Sequence, residues 1–206
     1  MTRGAVLTLV LCLALAPALA GPALANPTNQ DPAKVPAGQY ALDKRHASLV
    51  VKIAHMGGFS RYTLRFDALD GGFTYDPANW QATKVTFTVD PKSVDTNDPA
   101  FNKQIAGYFE TDKFPAISFA STAVQGGQDG KGQISGDLTL HGVTKPVTLD
   151  VTFNGSGHGI SPIGTRLGFS GSAQIKRSDF GVDNVILRQF TSDEVEVLFE
   201  LEFEKK

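Results

Sequence analysis

Cysteine is almost absent from this chain. Cys12 is the single example in 206 residues, and it lies inside an N-terminal apolar run. Beyond that run, disulfides, thiolate catalysis and cysteine-held metals are all excluded. Charge of one sign is also lacking. Nineteen basic and 21 acidic residues give a net charge of −2, evenly spread. There is neither a basic stripe for nucleic acid nor a polybasic cluster for anionic membranes. Only four histidines occur, His46, His55, His141 and His158, and none has the close pairing of a common zinc motif. Gly168-Phe169-Ser170-Gly171-Ser172 resembles a nucleophile elbow loosely, but it falls inside a strand pattern rather than at a strand–helix turn. No glycine-rich phosphate loop precedes a helix, and no repeat of 20–50 residues is visible.

The N-terminus has the layout of a secretory signal. Arg3 is followed by an apolar run from Ala5 to Leu15 and then Pro17. The small-residue patterns Ala18-Leu19-Ala20 and Ala23-Leu24-Ala25 offer two cleavage sites, and Ala25 is preferred. The uninterrupted run is shorter than the ~20 residues a membrane span needs, so no stable anchor is expected. Leu11 before Cys12 argues against a lipoprotein signal, and no twin arginine is present. Residues 1–25 are read as a signal peptide, 26–38 as a flexible lead-in with Pro27, Pro32 and Pro36, and 39–206 as one domain. Arg3 is the one charge before Asp31, so removing the leader takes the net charge from −2 to −3.

What the domain does have is alternation. Val195, Val197, Phe199, Leu201 and Phe203 fall on one face of the last segment, and Glu194, Glu196, Glu200, Glu202 and Glu204 on the other. Leu49, Val51, Ile53 and His55 share a face, as do Tyr62, Leu64 and Phe66. Val85, Phe87 and Val89 follow, then Ile117 and Phe119, then Ile134, Leu138 and Leu140, then Val147, Leu149, Val151 and Phe153. Leu167, Phe169 and Ile175 share a face with Gly171 and Ala173. Gly57-Gly58 and Asp70-Gly71-Gly72 read as turns, and Gly142-Val143-Thr144 as the link of a hairpin. Eight or nine short alternating strands with such turns predict an all-β antiparallel barrel or sandwich. One helix is expected where Asp98 caps, Pro99 starts, and Phe101, Ile105 and Phe109 recur at i, i+4, i+8. Gly136, Gly171 and Ala173 on apolar faces would leave room inside.

Ordered pieces along the chain, from about Gly38 to Lys205, form a set. They are Gly38-Gln39-Tyr40-Ala41-Leu42-Asp43 with His46 and Ser48, then His55-Met56-Gly57, then Ser93-Val94-Asp95-Thr96. Tyr108-Phe109 and Phe114-Pro115-Ala116-Ile117-Ser118-Phe119 follow. The most specific piece runs from Leu138 through His141-Gly142 to Val147, and Arg177-Ser178-Asp179-Phe180-Gly181 completes the set. Together these pieces resemble the YceI family of secreted lipid-binding proteins. Gln104-Ile105 departs from the His-Leu often seen there, and Lys176 from an asparagine. The resemblance implies an eight-stranded, lipocalin-like antiparallel barrel with one short helix near an end. It also implies a long isoprenoid lipid or isoprenoid quinone as the ligand inside.

A periplasmic or secreted carrier that leaves its lipid chemically unchanged is therefore expected, with no cofactor, no metal, no nucleic-acid partner and homodimerisation left open. Strand phase assigns Val51, Ile53, Val85, Phe87, Phe119, Leu138, Leu140, Leu149, Val151 and Phe169 to the cavity wall. His46, Ser48 and His55 are the candidate polar contacts for a head group. Two rival readings remain at this point. One is an enzyme acting on a barrel-bound lipid with His46 or His55 as base. The other is a solidly packed barrel that serves as a secreted interaction module. At Arg177–Gly181 the expectation is a turn in which Asp179 holds the backbone and Phe180 plugs a barrel end, or else a gate at the mouth.

Overall fold

The alternating segments form strands. A computed structural model describes residues 28–126, 128–158 and 164–206, so the signal-peptide reading of 1–25 lies outside the described residues. Strands run Gly38–His55 (β1), Ser60–Phe66 (β2), Leu69–Tyr75 (β3), Lys84–Val89 (β4) and Val94–Asp95 (β5). They continue Ile117–Gly126 (β6), Lys131–Leu140 (β7), Val143–His158 (β8), Thr165–Lys176 (β9) and Thr191–Lys205 (β10). Helices occupy Pro99–Tyr108 (α1) and Val185–Phe190 (α2).

All pairings are antiparallel, and the sheet closes on itself where β10 meets β1. The ring is β1, β10, β9, β8, β7, β6, β4, β3 and back to β1, an eight-stranded barrel, with β2 and β5 as additional strands. Closure removes the unpaired edges that an open sheet would present.

β1 makes this possible by changing partner along its length. Gly38 to Ala41 pair with β3, whereas Leu49 to His55 pair with β2. Between the two halves the register against β10 shifts from Leu42↔Phe203 to Ala47↔Leu201, and Asp43 to His46 are thrown out as a bulge. β2 pairs on its far side only through Arg65 and Phe66, with β5. Beside it packs α1, with Phe101 edge-on to Tyr62 and Phe109 edge-on to Phe66. The α1 start is as expected: Asp98 accepts from the amides of Ala100 and Phe101, and Pro99 opens the first turn.

Several local readings change. Asp70-Gly71-Gly72 is not a turn but part of β3. A Cβ at Gly71 would meet the Phe87 ring, and one at Gly72 the Tyr40 carbonyl, so both glycines admit a close neighbour inside a strand. The hairpin between β7 and β8 turns on His141-Gly142, both with positive φ, the twist that suits a two-residue hairpin. α2 was not foreseen. Gly136 and Gly171 do not leave free room: the Phe119 ring lies over Gly136 and the Phe199 ring over Gly171. The space that the missing side chains free is refilled by aromatic neighbours.

Residues 28–37, expected as a flexible lead-in, pack against one barrel end. Asn29 bridges to Ser156, Asp31 caps a short 3-10 turn at Pro32–Lys34, and Val35 is buried with Tyr40, Leu42, Leu167 and Phe203. Tyr40 donates to Pro36 O (2.7 Å) and Tyr75 to Pro32 O (2.9 Å), tying the segment down. At the other end Phe180, only 2% exposed, packs with Leu140, Val182 and Leu187 as a plug. Asp179 does not hold the backbone there; it accepts from Lys145 Nζ at 2.8 Å.

Candidate functional site

Beside the lead-in segment the inward faces meet in an aromatic cluster of Phe73, Phe169 and Phe203, and elsewhere they stand apart. They surround a cavity of about 650 Å³ whose lining is almost wholly apolar. Ligand pockets span roughly 300–1,000 Å³, so the space is ample for a bound molecule. Val51, Ile53, Val85, Phe87, Phe119, Leu138, Leu140, Leu149, Val151 and Phe169 all line it. Each is placed there by strand phase, and β10 adds Val195, Val197, Phe199, Leu201 and Phe203. Inward valines such as Val51, Val85 and Val151 are only partly buried, although they face the barrel axis. A solid core would bury them completely.

Of the three candidate head-group contacts, only His55 reaches the cavity. It sits at the end of β1, opposite Thr191, which also lines the space. Ser48 lies on the other face of β1 from Leu49, with Glu200 as its partner on β10. His46 lies in the bulge, exposed, with Nδ1 2.7 Å from Asp43 Oδ2. Parity counted from Leu49 places both Ser48 and His46 on the outward face, where the structure finds them.

Residues that strand phase did not supply complete the site. From α1 come Phe101, Gln104, Ile105 and Tyr108, with Phe109 at its C-terminal cap, and from α2 Ile186, Leu187 and Phe190. Gln104, Ile186 and Phe190 are the lining residues that are also exposed, so the cavity opens between α1 and α2. Gln104 Nε2 donates to Tyr108 Oη at 2.7 Å beside this mouth. The far end carries Tyr75, Trp80 and Thr83, whose Oγ1 is buried without a hydrogen-bond partner among the described residues. The apolar residues of α1 at i, i+4 spacing were a usable signal. For α2, six residues of mixed polarity gave none.

Arg177 also borders the cavity, but its donors are committed. They reach Ser192 O and Val182 O at 3.1 Å and Asp183 Oδ1 at 2.7 Å. Hydrogen bonds from Arg188 first, then Arg177, hold the Asp183 carboxyl at about 2. For catalysis, His55 has no hydrogen-bonded carboxylate among the described residues to orient it as a base.

Outside the barrel, Asp43, His46 and Glu202 come within 4.8 Å of one another. The Arg166 guanidinium sits among them, pairing with Asp43 (2.5 Å), Glu202 (2.8 Å) and Glu204. The carboxylates are thus neutralised by an arginine, and the group reads as a clasp joining the β1 bulge to β9 and β10. Burial alone would push the Asp43 carboxyl up. Hydrogen bonds from His46, the Arg45 amide and Arg166, with the Arg166 charge, outweigh it and hold the carboxyl at about 2. A lowered native value stabilises the fold above the ordinary carboxylate value of ~3.9, and that stability is lost as pH falls toward 2. Thermal melts from pH 5 to 2 should therefore show a steeper acid decline in the wild type than in Asp43→Asn; parallel declines would remove the clasp from the account.

These features define a closed, lipocalin-like antiparallel barrel around an apolar cavity that opens between two helices. The family described as YceI-like domain matches residues 40–203, and the chain belongs to the YceI family. A UPF0312 protein of Vibrio cholerae is 38% identical over 151 residues, covering 71% of this chain and 78% of that protein. A UPF0312 protein of Pseudomonas paraeruginosa is 39% identical over 171 residues, covering 81% and 86%. Among solved structures, BcnA of Burkholderia cenocepacia superposes with a TM-score of 0.69 at 25% identity, covering 78% of this chain and 98% of BcnA. A polyisoprenoid binding domain from Saccharophagus degradans, implicated in plant cell wall breakdown, shares the fold with a TM-score of 0.61 at 24% identity, covering 81% and 98%.

Proposed function

We propose that this protein is a non-enzymatic carrier that holds one long isoprenoid lipid, a polyprenol or an isoprenoid quinone, along the barrel axis. The observation that carries the reading is the hollow: some forty side chains border a nearly all-carbon cavity of about 650 Å³ without filling it. The tail lies in the barrel. The polar end rests toward the mouth, where Gln104, Tyr108, His55 and Thr191 supply the hydrogen-bonding groups. Family membership and the polyisoprenoid-binding description of one fold neighbour support the same ligand class. The N-terminal layout supports export to the periplasm or beyond.

Energetics favour shape over raw hydrophobicity. At ~0.8 kcal/mol per buried methylene-sized group, a forty-carbon tail would give roughly 30 kcal/mol on leaving water, beyond the ~20 at which affinities saturate. The tail comes from an apolar environment, so the net gain is far smaller, and fit to the branched chain decides selectivity. Titrating lipid-free protein with quinones of increasing prenyl number tests this. Affinity should rise with the tail and then level off, and a straight-chain fatty acid of equal carbon count should bind more weakly. Equal binding of a tail-less head group would overturn the reading.

A further inference from the structure

Among the described residues five large apolar side chains are exposed: Met56, Phe59, Val185, Ile186 and Phe190. They gather at one end of the barrel. The Met56–Gly58 turn packs beside α2, and α2 carries the last three. Phe59 is 86% exposed and Val185 76%. Ile186 and Phe190 belong to both surfaces, since they also line the cavity. The patch is the outer lip of the mouth.

We propose that this lip docks on the surface of a lipid bilayer of low net charge, letting an apolar chain pass between bilayer and barrel without crossing water. The inference rests on the lipid-carrier reading above. Three observations choose a bilayer over a protein partner. First, the lip is continuous with the cavity, and a prenyl chain that reached it through water would expose every methylene on the way. Second, the apolar groups sit on two projecting tips. Met56-Gly57-Gly58-Phe59 caps the β1–β2 hairpin, and Val185-Ile186 opens α2. Together the five expose the equivalent of about three whole side chains, or roughly 600 Å² at about 200 Å² each, less than the roughly 800 Å² per partner of a stable protein interface. Third, the bordering charges are matched within the protein: Arg61 pairs with Glu196 at 2.8 Å, and Arg188 with Asp183 at 2.7 Å. Asp183 also serves the buried Arg177, whose charge acts on Asp193 as well, so little positive field is left to select anionic lipid, and attachment is hydrophobic.

Flotation of the mature protein with phosphatidylcholine vesicles tests the proposal, using the double variant Phe59→Ser, Val185→Ser, whose sites do not line the cavity. The wild type should float, and the variant should partition roughly tenfold less. Wild-type flotation should change less than about twofold between ~0.05 and ~0.5 M salt, because exposed charge contributes little. Both proteins should take up micelle-delivered prenyl quinone equally. A wild type that stays in the aqueous phase, a variant that floats as well, or attachment abolished by salt would overturn the docking. So would patch-dependent dimers that do not float, which would assign the surface to a second copy. If neither protein takes up the quinone while flotation differs as expected, docking stands and the carrier reading falls.

Discussion

Val51→Trp should weaken binding of a prenyl lipid at least ~100-fold, about 2.7 kcal/mol, while leaving the protein folded. Val51 lies midway along the second half of β1, between Val197 of β10 and Leu64 of β2, and all three line the cavity. An indole there projects into the space the chain would fill. Tryptophan suits a strand, and an empty apolar cavity offers it contacts rather than clashes, so the melting temperature should hold or rise. Val50→Trp is the control. It stands one residue away on the opposite face, paired with Leu198 and Arg65, and should leave binding intact. Titration with a fluorescent or native prenyl quinone reads both variants. Binding by Val51→Trp within about threefold of wild type would mean that no chain passes this level of the barrel.

Arg177→Met should cost about 3 kcal/mol of stability. The arginine is buried and donates to two carbonyls and to Asp183, so it ties the Phe180 plug to the loop before α2 and to the start of β10. Methionine fills similar volume but leaves the carbonyls of Val182 and Ser192 without their donors. Asp183 keeps Arg188, which limits the damage to the buried side. At roughly 2–4 °C per kcal/mol for a domain of this size, melting should fall by about 10 °C. Lysine, a point charge that cannot serve three acceptors in a fork, should recover only part of the loss. A loss under about 1 kcal/mol in urea denaturation would show that the plug holds without the arginine.

The wall of the cavity was the most legible part of the chain. Period-two alternation fixes which side chains point inward once a strand is recognised, and β4, β7 and β10 follow it, as does β8 as far as Phe153. Legibility failed where the backbone departs from that period. The bulge at Asp43–His46 switches the inward parity of β1, from Leu49 and Val51 after it to Tyr40 and Leu42 before it. The shift between Ser121 and Ala123 in β6 brings Val124 onto the lining face, which parity counted from Phe119 excludes. Gly71 and Gly72 look like a turn because local sequence cannot show that the Phe87 ring and the Tyr40 backbone press on them from other strands. The same holds for Gly136 and Gly171, whose missing side chains are replaced by rings from distant positions. Val35 is one apolar residue among prolines and polar groups, so its burial in the barrel end is a tertiary fact with no local signature.

The account depends most on whether the barrel carries an isoprenoid lipid in the cell. Native mass spectrometry of the protein isolated from the cells that make it, followed by solvent extraction, answers this directly. One prenol or prenyl quinone per chain, lost from a Val51→Trp preparation, is the predicted result. Mass spectra showing only empty protein in repeated preparations, with no adduct after incubation with prenols or prenyl quinones, would contradict it.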